Sequence, residues 1–167
     1  RLKSAHEVEI AGKTVWGRHI VVATGSRATV PAIEGLAEAR FLTNESVFEI
    51  AERPESLLVM GGGPIGTELG QAFARLGTKV TIVSSTPHIC TKEDPDVAAV
   101  LAATLRREGV TVLDGGPAAR VPARGGEEVV HVAPGGGVEA GVAADGILAA
   151  GGRTAGGERG GPERGGG

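Results

Sequence analysis

The sequence predicts an α/β protein organised around a doubly wound parallel sheet, with a small antiparallel meander attached. Three observations carry that prediction. Residues 57–60 form a continuous apolar run that leads through glycines into a stretch with apolar residues at Ile65, Leu69, Ala72, Phe73 and Leu76, and then into a second run, "KVTIV". A strand covered on both faces, one amphipathic helical face and another covered strand make a βαβ unit. The pattern repeats over residues 94–113. After Gly115 the segments become short and alternate apolar with polar residues, as antiparallel strands with one solvated face do. Alternating β and α elements build a parallel sheet with helices packed on both sides, which is the Rossmann-type arrangement.

Taken in order, residues 6–10 and 14–16 read as short strands joined by a turn at Ala11, Gly12 and Lys13, and residues 20–23 read as a buried strand ending at Thr24-Gly25. "VPAIEGL" is a Pro/Gly connection. In "TNESVFEIAERP", Asn44 is expected to cap a short helix whose apolar face is Val47, Ile50 and Ala51, with Pro54 stopping it. Gly77 stands where the first long helix wants a left-handed residue at its end. Asp94 is expected to cap the next helix, with Pro95 at its first position, Gly109 past its end and residues 110–113 as a third strand. Arg106 and Arg107 fall in its last turn, at the negative end of the helix dipole. "EVVHV", a turn at Gly135, Gly136 and Gly137, "VEAGV" and "DGILAAGGR" read as a meander returning to a last buried strand. The glycine-rich tail from about Thr154 has almost no apolar side chains to offset its ordering entropy and is expected to be disordered.

A chain of 167 residues has room for one domain and a piece of a second. The first residue is not Met and a strand pattern begins almost at once, so a piece of a longer protein is expected. A formal charge of −3 supplies no basic field for nucleic acid or anionic lipid, so no nucleic-acid partner is expected. No apolar run approaches the ~18–20 residues of a membrane span and no signal-peptide core opens the chain; the expected location is cytoplasmic. Cys90 is the single cysteine, which excludes an internal disulfide, a C-x-x-C pair and a cysteine zinc cage. No base is predicted beside it, and it reads as a small buried hydrophobe. His6, His19, His88 and His131 lack metal-ligand spacing. The absence of any tyrosine removes the Tyr-Lys acid-base pair that a short-chain dehydrogenase would need.

The motif that carries chemistry is "MGGGPIGTE". Gly61, Gly63 and Gly66 stand in G-x-G-x-x-G register between a predicted strand and a predicted helix, with Pro64 and Ile65 opening the helix between them. The first glycine suits a tight turn, the second a close backbone approach to a pyrophosphate, and the third close packing of helix on strand. The N–H groups at the helix start and the helix dipole then attract the anion. The alternative is a tight structural turn. About twenty residues past the glycines, the end of the second strand normally reads the adenosine ribose. Ser84 and Ser85 occupy that place, followed by Thr86, His88 and Lys92. An acidic residue there would bind the ribose hydroxyls and repel a 2′-phosphate, whereas hydroxyls with a nearby cation suit one. NADPH is therefore expected over NADH, unless the serines are only a loop.

"VVATGSR", "LLVMGGGPIGTELGQAFARLGTKVTIV" and "DGILAAGGRT" occur in that order. Together they resemble the flavin-dependent pyridine nucleotide-disulfide oxidoreductases, the group containing dihydrolipoamide dehydrogenase, glutathione reductase and mercuric reductase. The resemblance covers residues 6–153. It implies a nicotinamide-nucleotide domain inserted within an FAD domain, so that residues 1–42 are crossover strands forming an edge of the FAD-binding domain. Residues 43–150 are then the NAD(P)-binding domain and 151–167 a tail. It places Thr24 and Gly25 in the first crossover near the flavin, Gly152 and Arg153 in the second, and Glu68 near the nicotinamide. In the family, the residue at the place of Glu68 pairs with a lysine from the FAD domain; otherwise Glu68 is a solvated helix carboxylate. The implied reaction passes hydride from NAD(P)H to FAD and on to a disulfide or metal substrate.

The departures are specific. The sequence carries no second glycine turn for FAD, no C-x-x-x-x-C redox pair and no counterpart of the dimerisation domain through which family members form homodimers, and Ala155-Gly156 stands where Pro-Asn is usual. With one cysteine, dithiol chemistry is not expected of this chain by itself, and no catalytic residue is assigned. The alternative reading is a dinucleotide-binding module without catalysis of its own. Without the FAD half, residues 20–23 and 147–150 are expected to present apolar surface.

Overall fold

The computed structural model of the chain describes residues 1–116, 118–121, 128–132 and 140–156; of residues 118–120, 128–132 and 140 it describes the backbone. In chain order the elements are β1 (Glu7–Ile10), β2 (Lys13–Trp16), β3 (Ser26–Ala28), β4 (Phe41–Leu42), β5 (Ser56–Met60), α1 (Pro64–Arg75), β6 (Lys79–Val83), α2 (Pro95–Arg107), β7 (Thr111–Leu113), β8 (Ala118–Arg120), β9 (Glu128–Val132), β10 (Ala140–Ala144), β11 (Gly146–Ala149) and β12 (Arg153–Ala155). They divide into two compact units, residues 1–27 with 153–167, and residues 28–152. The predicted turn at residues 135–137, most of the predicted disordered tail and the His131 side chain lie outside what is described.

In the first unit, β1 and β2 form an antiparallel hairpin. Its turn residues Ala11 and Gly12 both have positive φ, 49° and 77°, the backbone whose twist matches that of the flanking strands. His6 stacks on Trp16 with ring centroids 6.0 Å apart. The expected buried strand at residues 20–23 does not form: these residues are irregular, and Val21 and Val22 are exposed. A strand needs a partner for its N–H and C=O groups, and among the described residues none pairs with this segment. The pair β3 and β12 does form. It takes up Thr154 and Ala155, so the tail is ordered further than its composition predicts.

The second unit is built on a parallel sheet in the order β4-β11-β5-β6-β7. Alternation along the strands sends Leu57, Val59, Val80, Ile82 and Leu148 to one face, where they pack with Leu69, Phe73, Ala102 and Leu105 of α1 and α2. Leu58, Met60, Val83 and Ile147 go to the other face, covered by Leu36, Val121 and Ala144. That second cover is the connecting segment and the antiparallel sheet β10-β9-β8 in place of a helix layer. Both faces are thus buried, which is why the strands read as continuous apolar runs.

Three local expectations are corrected. Asn44 caps nothing: residues 46–48 make one 3-10 turn, in which the Thr43 N–H donates to Ser46 Oγ at 2.9 Å and the Ser46 N–H to Thr43 Oγ1 at 3.3 Å. Thr43 and Ser46 satisfy each other's backbone, so the helix ends after one turn with Ala51 exposed. Asp94 stands at the N-cap of α2 in extended conformation, yet its carboxylate makes no capping bond; its carbonyl accepts the Ala98 N–H at 2.9 Å. Residues 147–150 are not uncovered, since Ile147 and Leu148 are fully buried and Ala149 and Ala150 nearly so.

Two carboxylates tie the unit together at its edges. Glu108, following α2, accepts both Arg75 Nε and an Arg75 terminal nitrogen at 2.8 Å and Gln71 Nε2 at 3.1 Å, linking the C-terminal ends of α1 and α2. Asp145 accepts the Ser56 hydroxyl at 2.7 Å and the Ser56 N–H at 2.9 Å, fixing the start of β5 beside β11. The hydrogen bond from Arg75 holds Glu108 below its ordinary 4.5, and that from Ser56 holds Asp145 below its ordinary 3.8. A carboxylate with a lowered pKa stabilises the fold above its ordinary value and loses that contribution as pH falls through the folded one. Chemical unfolding midpoints are therefore expected to hold steady from neutral pH down to about 5 and to fall below about 4.5. The Glu108→Gln, Asp145→Asn double variant is expected to flatten that acid limb.

Candidate dinucleotide-binding site

At the C-terminal edge of the parallel sheet, β5 is flanked by β6 on one side and β11 on the other. Chain order reverses at β5, and such a reversal opens a crevice beyond the strand ends. A cavity of about 300 Å³ lies there, lined by Met60, Gly61, Val83, Ser85, Gly151 and the segment 31–33.

The glycine turn enters the crevice at Gly61. Gly61 has φ +125° and donates its N–H to the Val83 carbonyl at 2.9 Å; a Cβ here would overlap the Ala150 carbonyl oxygen. Only glycine combines that backbone with that proximity. At Gly66 the constraint is contact alone, because a Cβ would overlap the Gly61 carbonyl oxygen and stand 3.2 Å from Val59 Cγ1. Gly63 is different. It is the N-cap of α1 with φ −77° and ψ −176°, an ordinary extended conformation, and a Cβ would meet nothing within 4 Å. The space a side chain would fill is left open beside the helix N-terminus, where N–H groups and dipole favour an anion. Pro64 occupies the first helical position, Ile65 packs half-buried against the core, and Glu68 is exposed on the next turn.

The two serines after β6 have separate places. Ser84 is 2% exposed, and its Oγ lies 2.7 Å from Thr86 Oγ1. Thr86 gives its own hydroxyl proton to the His88 carbonyl at 2.9 Å, so the Ser84 hydroxyl is the donor to Thr86. Ser85 is exposed and lines the cavity. His88 Nδ1 donates to the Ile89 carbonyl at 2.8 Å, which places a proton on Nδ1.

The remaining expected residues gather elsewhere. Thr24 and Gly25 precede β3, and the Gly25 carbonyl accepts the Gly156 N–H at 2.8 Å. Arg153 grips β3, its Nε on Ser26 Oγ and a terminal nitrogen on the Ser26 carbonyl, both at 2.7 Å. The Gly152 carbonyl accepts the Thr29 N–H at 3.0 Å. The segments that hold Thr24-Gly25 and Gly152-Arg153 are therefore paired through strands far apart in sequence. Sequence reasoning missed Gly62, whose Cβ would stand 2.9 Å from Ile89 Cγ2 and from Ser84 Oγ, and it missed Cys90, which bonds to that residue. Spacing motifs carry no signal for either. Among the described residues no group of three His, Cys, Asp or Glu side chains is placed to hold a metal ion, and no helix is long and apolar enough to cross a membrane.

Residues 1–164 match the family model described as pyridine nucleotide-disulphide oxidoreductase. A mercuric reductase of Bacillus cereus is 34% identical over 125 residues, which is 75% of this chain and 20% of that protein. A dihydrolipoyl dehydrogenase of Acholeplasma laidlawii is 35% identical over 116 residues, 67% of this chain and 34% of that protein. Among solved structures, the HOCl-induced flavoprotein disulfide reductase RclA from Escherichia coli superposes with a TM-score of 0.72 at 30% identity, covering 89% of this chain and 34% of that one. The chain thus spans between a fifth and about a third of the length of these proteins. With a match that runs through nearly all its residues and a glycine turn seated at the sheet's reversal point, this chain belongs to the pyridine nucleotide-disulphide oxidoreductase family.

Proposed function

We propose that this chain is the NAD(P)H-binding portion of a flavin-dependent oxidoreductase. The observation that carries the proposal is the open space at Gly63, beside the N-terminus of α1, in a turn whose Gly61 lines a cavity of about 300 Å³, large enough for a nucleotide ring. The residues fit the cofactor: Gly61 and Gly66 seat the turn, Gly63, Pro64 and Ile65 border the pyrophosphate, and Gly151 and residues 31–33 wall the crevice. When bound, NAD(P)H supplies a hydride, which the flavin of the longer protein would take on toward a disulfide or metal substrate. This chain's own part is positioning. Glu68, exposed one turn into α1, would be the carboxylate at the nicotinamide end, as the family resemblance implies.

Of the two serines, Ser85 lines the cavity, and Ser84 packs against the turn at Gly62. Among the described residues that line the cavity there is no carboxylate. A 2′-phosphate therefore meets no repulsion there, and NADPH is the preferred nucleotide. Titration calorimetry is expected to give tighter binding for NADPH than for NADH, with the difference reduced in Ser85→Ala. Equal binding, or tighter NADH, would remove the Ser85 assignment and leave the turn.

For FAD the fit is weaker. Thr24, Gly25, Gly152 and Arg153 offer mainly backbone, and the Arg153 guanidinium is engaged by Ser26. A flavin needs more of the protein than this. The single cysteine favours the second reading, a dinucleotide module without catalysis of its own, for the chain in isolation. Purified chain with flavin absorbance would count against that second reading.

A further inference from the structure

The loop that follows β6 closes on the glycine turn. The Cys90 N–H donates to the Gly62 carbonyl at 2.7 Å. Fully buried Ile89 and the Ser84 side chain lie where any Cβ on Gly62 would have to go. Cys90 makes its bond from left-handed backbone, φ 49°, which side-chain-bearing residues seldom adopt. The loop is tied in turn by the Glu93 N–H to the Cys90 carbonyl at 2.9 Å and by the Gly115 N–H to the Thr86 carbonyl at 2.8 Å.

In a trans peptide the carbonyl of one residue and the N–H of the next point in opposite directions. Drawing the Gly62 carbonyl toward Cys90 therefore turns the Gly63 N–H the other way. Thr67 does the equivalent for the next carbonyl, its N–H and its Oγ1 both reaching the Gly63 oxygen at 3.0 Å. Pro64 then has no N–H to offer, so the Gly63 N–H is the donor that the turn itself can direct at an anion.

We propose that Cys90 is a positioning residue for the dinucleotide turn: by holding the Gly62 carbonyl from a left-handed backbone it aims the Gly63 N–H at the pyrophosphate. This rests on the function proposed above. The thiol has no part in it: among the described residues its one hydrogen-bond contact is Thr67 Oγ1, at 3.8 Å from Sγ. What matters is the backbone conformation and its N–H.

Three variants of the full chain test this by calorimetry against whichever of NADPH and NADH binds tighter, with adenosine, which has no pyrophosphate, followed by saturation-transfer NMR. Cys90→Gly keeps the N–H and favours positive φ, and it is expected to bind the dinucleotide within about threefold of the parent chain. Cys90→Val disfavours positive φ and Cys90→Pro removes the N–H; both are expected to lose about tenfold or more, the worth of one good hydrogen bond, with adenosine affinity unchanged. If Cys90→Pro fails to fold, Val against Gly carries the comparison. Dinucleotide binding undiminished in the Val variant, an equal loss in the Gly variant, or a parallel loss for adenosine overturns the inference while the functional reading stands. A parent chain that binds neither nucleotide overturns both.

Discussion

Gly66→Ala is expected to lower dinucleotide affinity by about a hundredfold and to cost the fold about 1–3 kcal/mol, the range for forcing a methyl into a packed site. The reason is local. The added Cβ meets the Gly61 carbonyl oxygen and Val59 Cγ1, so α1 has to move away from β5 at its N-terminal end, where the dinucleotide is proposed to bind. Neither contact is the far end of a flexible side chain; one is backbone and the other is the core face of a fully buried residue. Gly63→Ala is the informative companion. Its methyl meets nothing within 4 Å among the described residues, so the melting temperature is expected to hold while affinity falls if, as proposed, the pyrophosphate approaches there. Calorimetric titration and a thermal melt on both variants separate the two roles. Equal affinity in Gly63→Ala and the parent chain would mean that the open space at that glycine is not where the ligand lies.

The elements that the sequence made plain are those with a strong period. The βαβ unit could be read from apolar spacing, because burial on both sheet faces leaves a continuous run and burial on one helix face leaves a stripe. The glycine turn was legible because steric demands at Gly61 and Gly66 admit one residue type. Residues 20–23 read as a buried strand and are not one, because an apolar run says nothing about whether a partner strand is there. Asn44 was a sound cap by residue type, but the neighbouring Thr43 and Ser46 hydroxyls compete for the same N–H groups and close the turn first. The division of labour between Ser84 and Ser85 was also hidden. Adjacent residues leaving a strand point opposite ways, and which one faces the crevice depends on Thr86 and on the glycine turn packed against Ser84. Cys90 is the extreme case, since its contribution comes from backbone conformation and any residue type is silent about that.

The burial of residues 147–150 supports the largest expected effect on stability. Ile147 sits in β11 between Phe41 of β4 and Leu58 of β5, fully buried on the face covered by Leu36, Val121 and Ala144. Ile147→Ala removes three carbons from that site and leaves a cavity whose walls are strands on both sides, which can collapse little. A cost of about 2–5 kcal/mol follows, a large share of the ~5–15 kcal/mol that holds a typical domain together. Urea unfolding followed by circular dichroism measures it, with Val21→Ala as the comparison. Val21 is 86% exposed in the first unit, and its truncation is expected to change stability by no more than about 0.5 kcal/mol. If Ile147→Ala were as mild as Val21→Ala, β11 would not be a central strand of a packed sheet, and the crevice that depends on β11 flanking β5 would lose its wall at Gly151. A large loss at Ile147 with none at Val21 means that residues 28–152 carry a packed sheet core of their own.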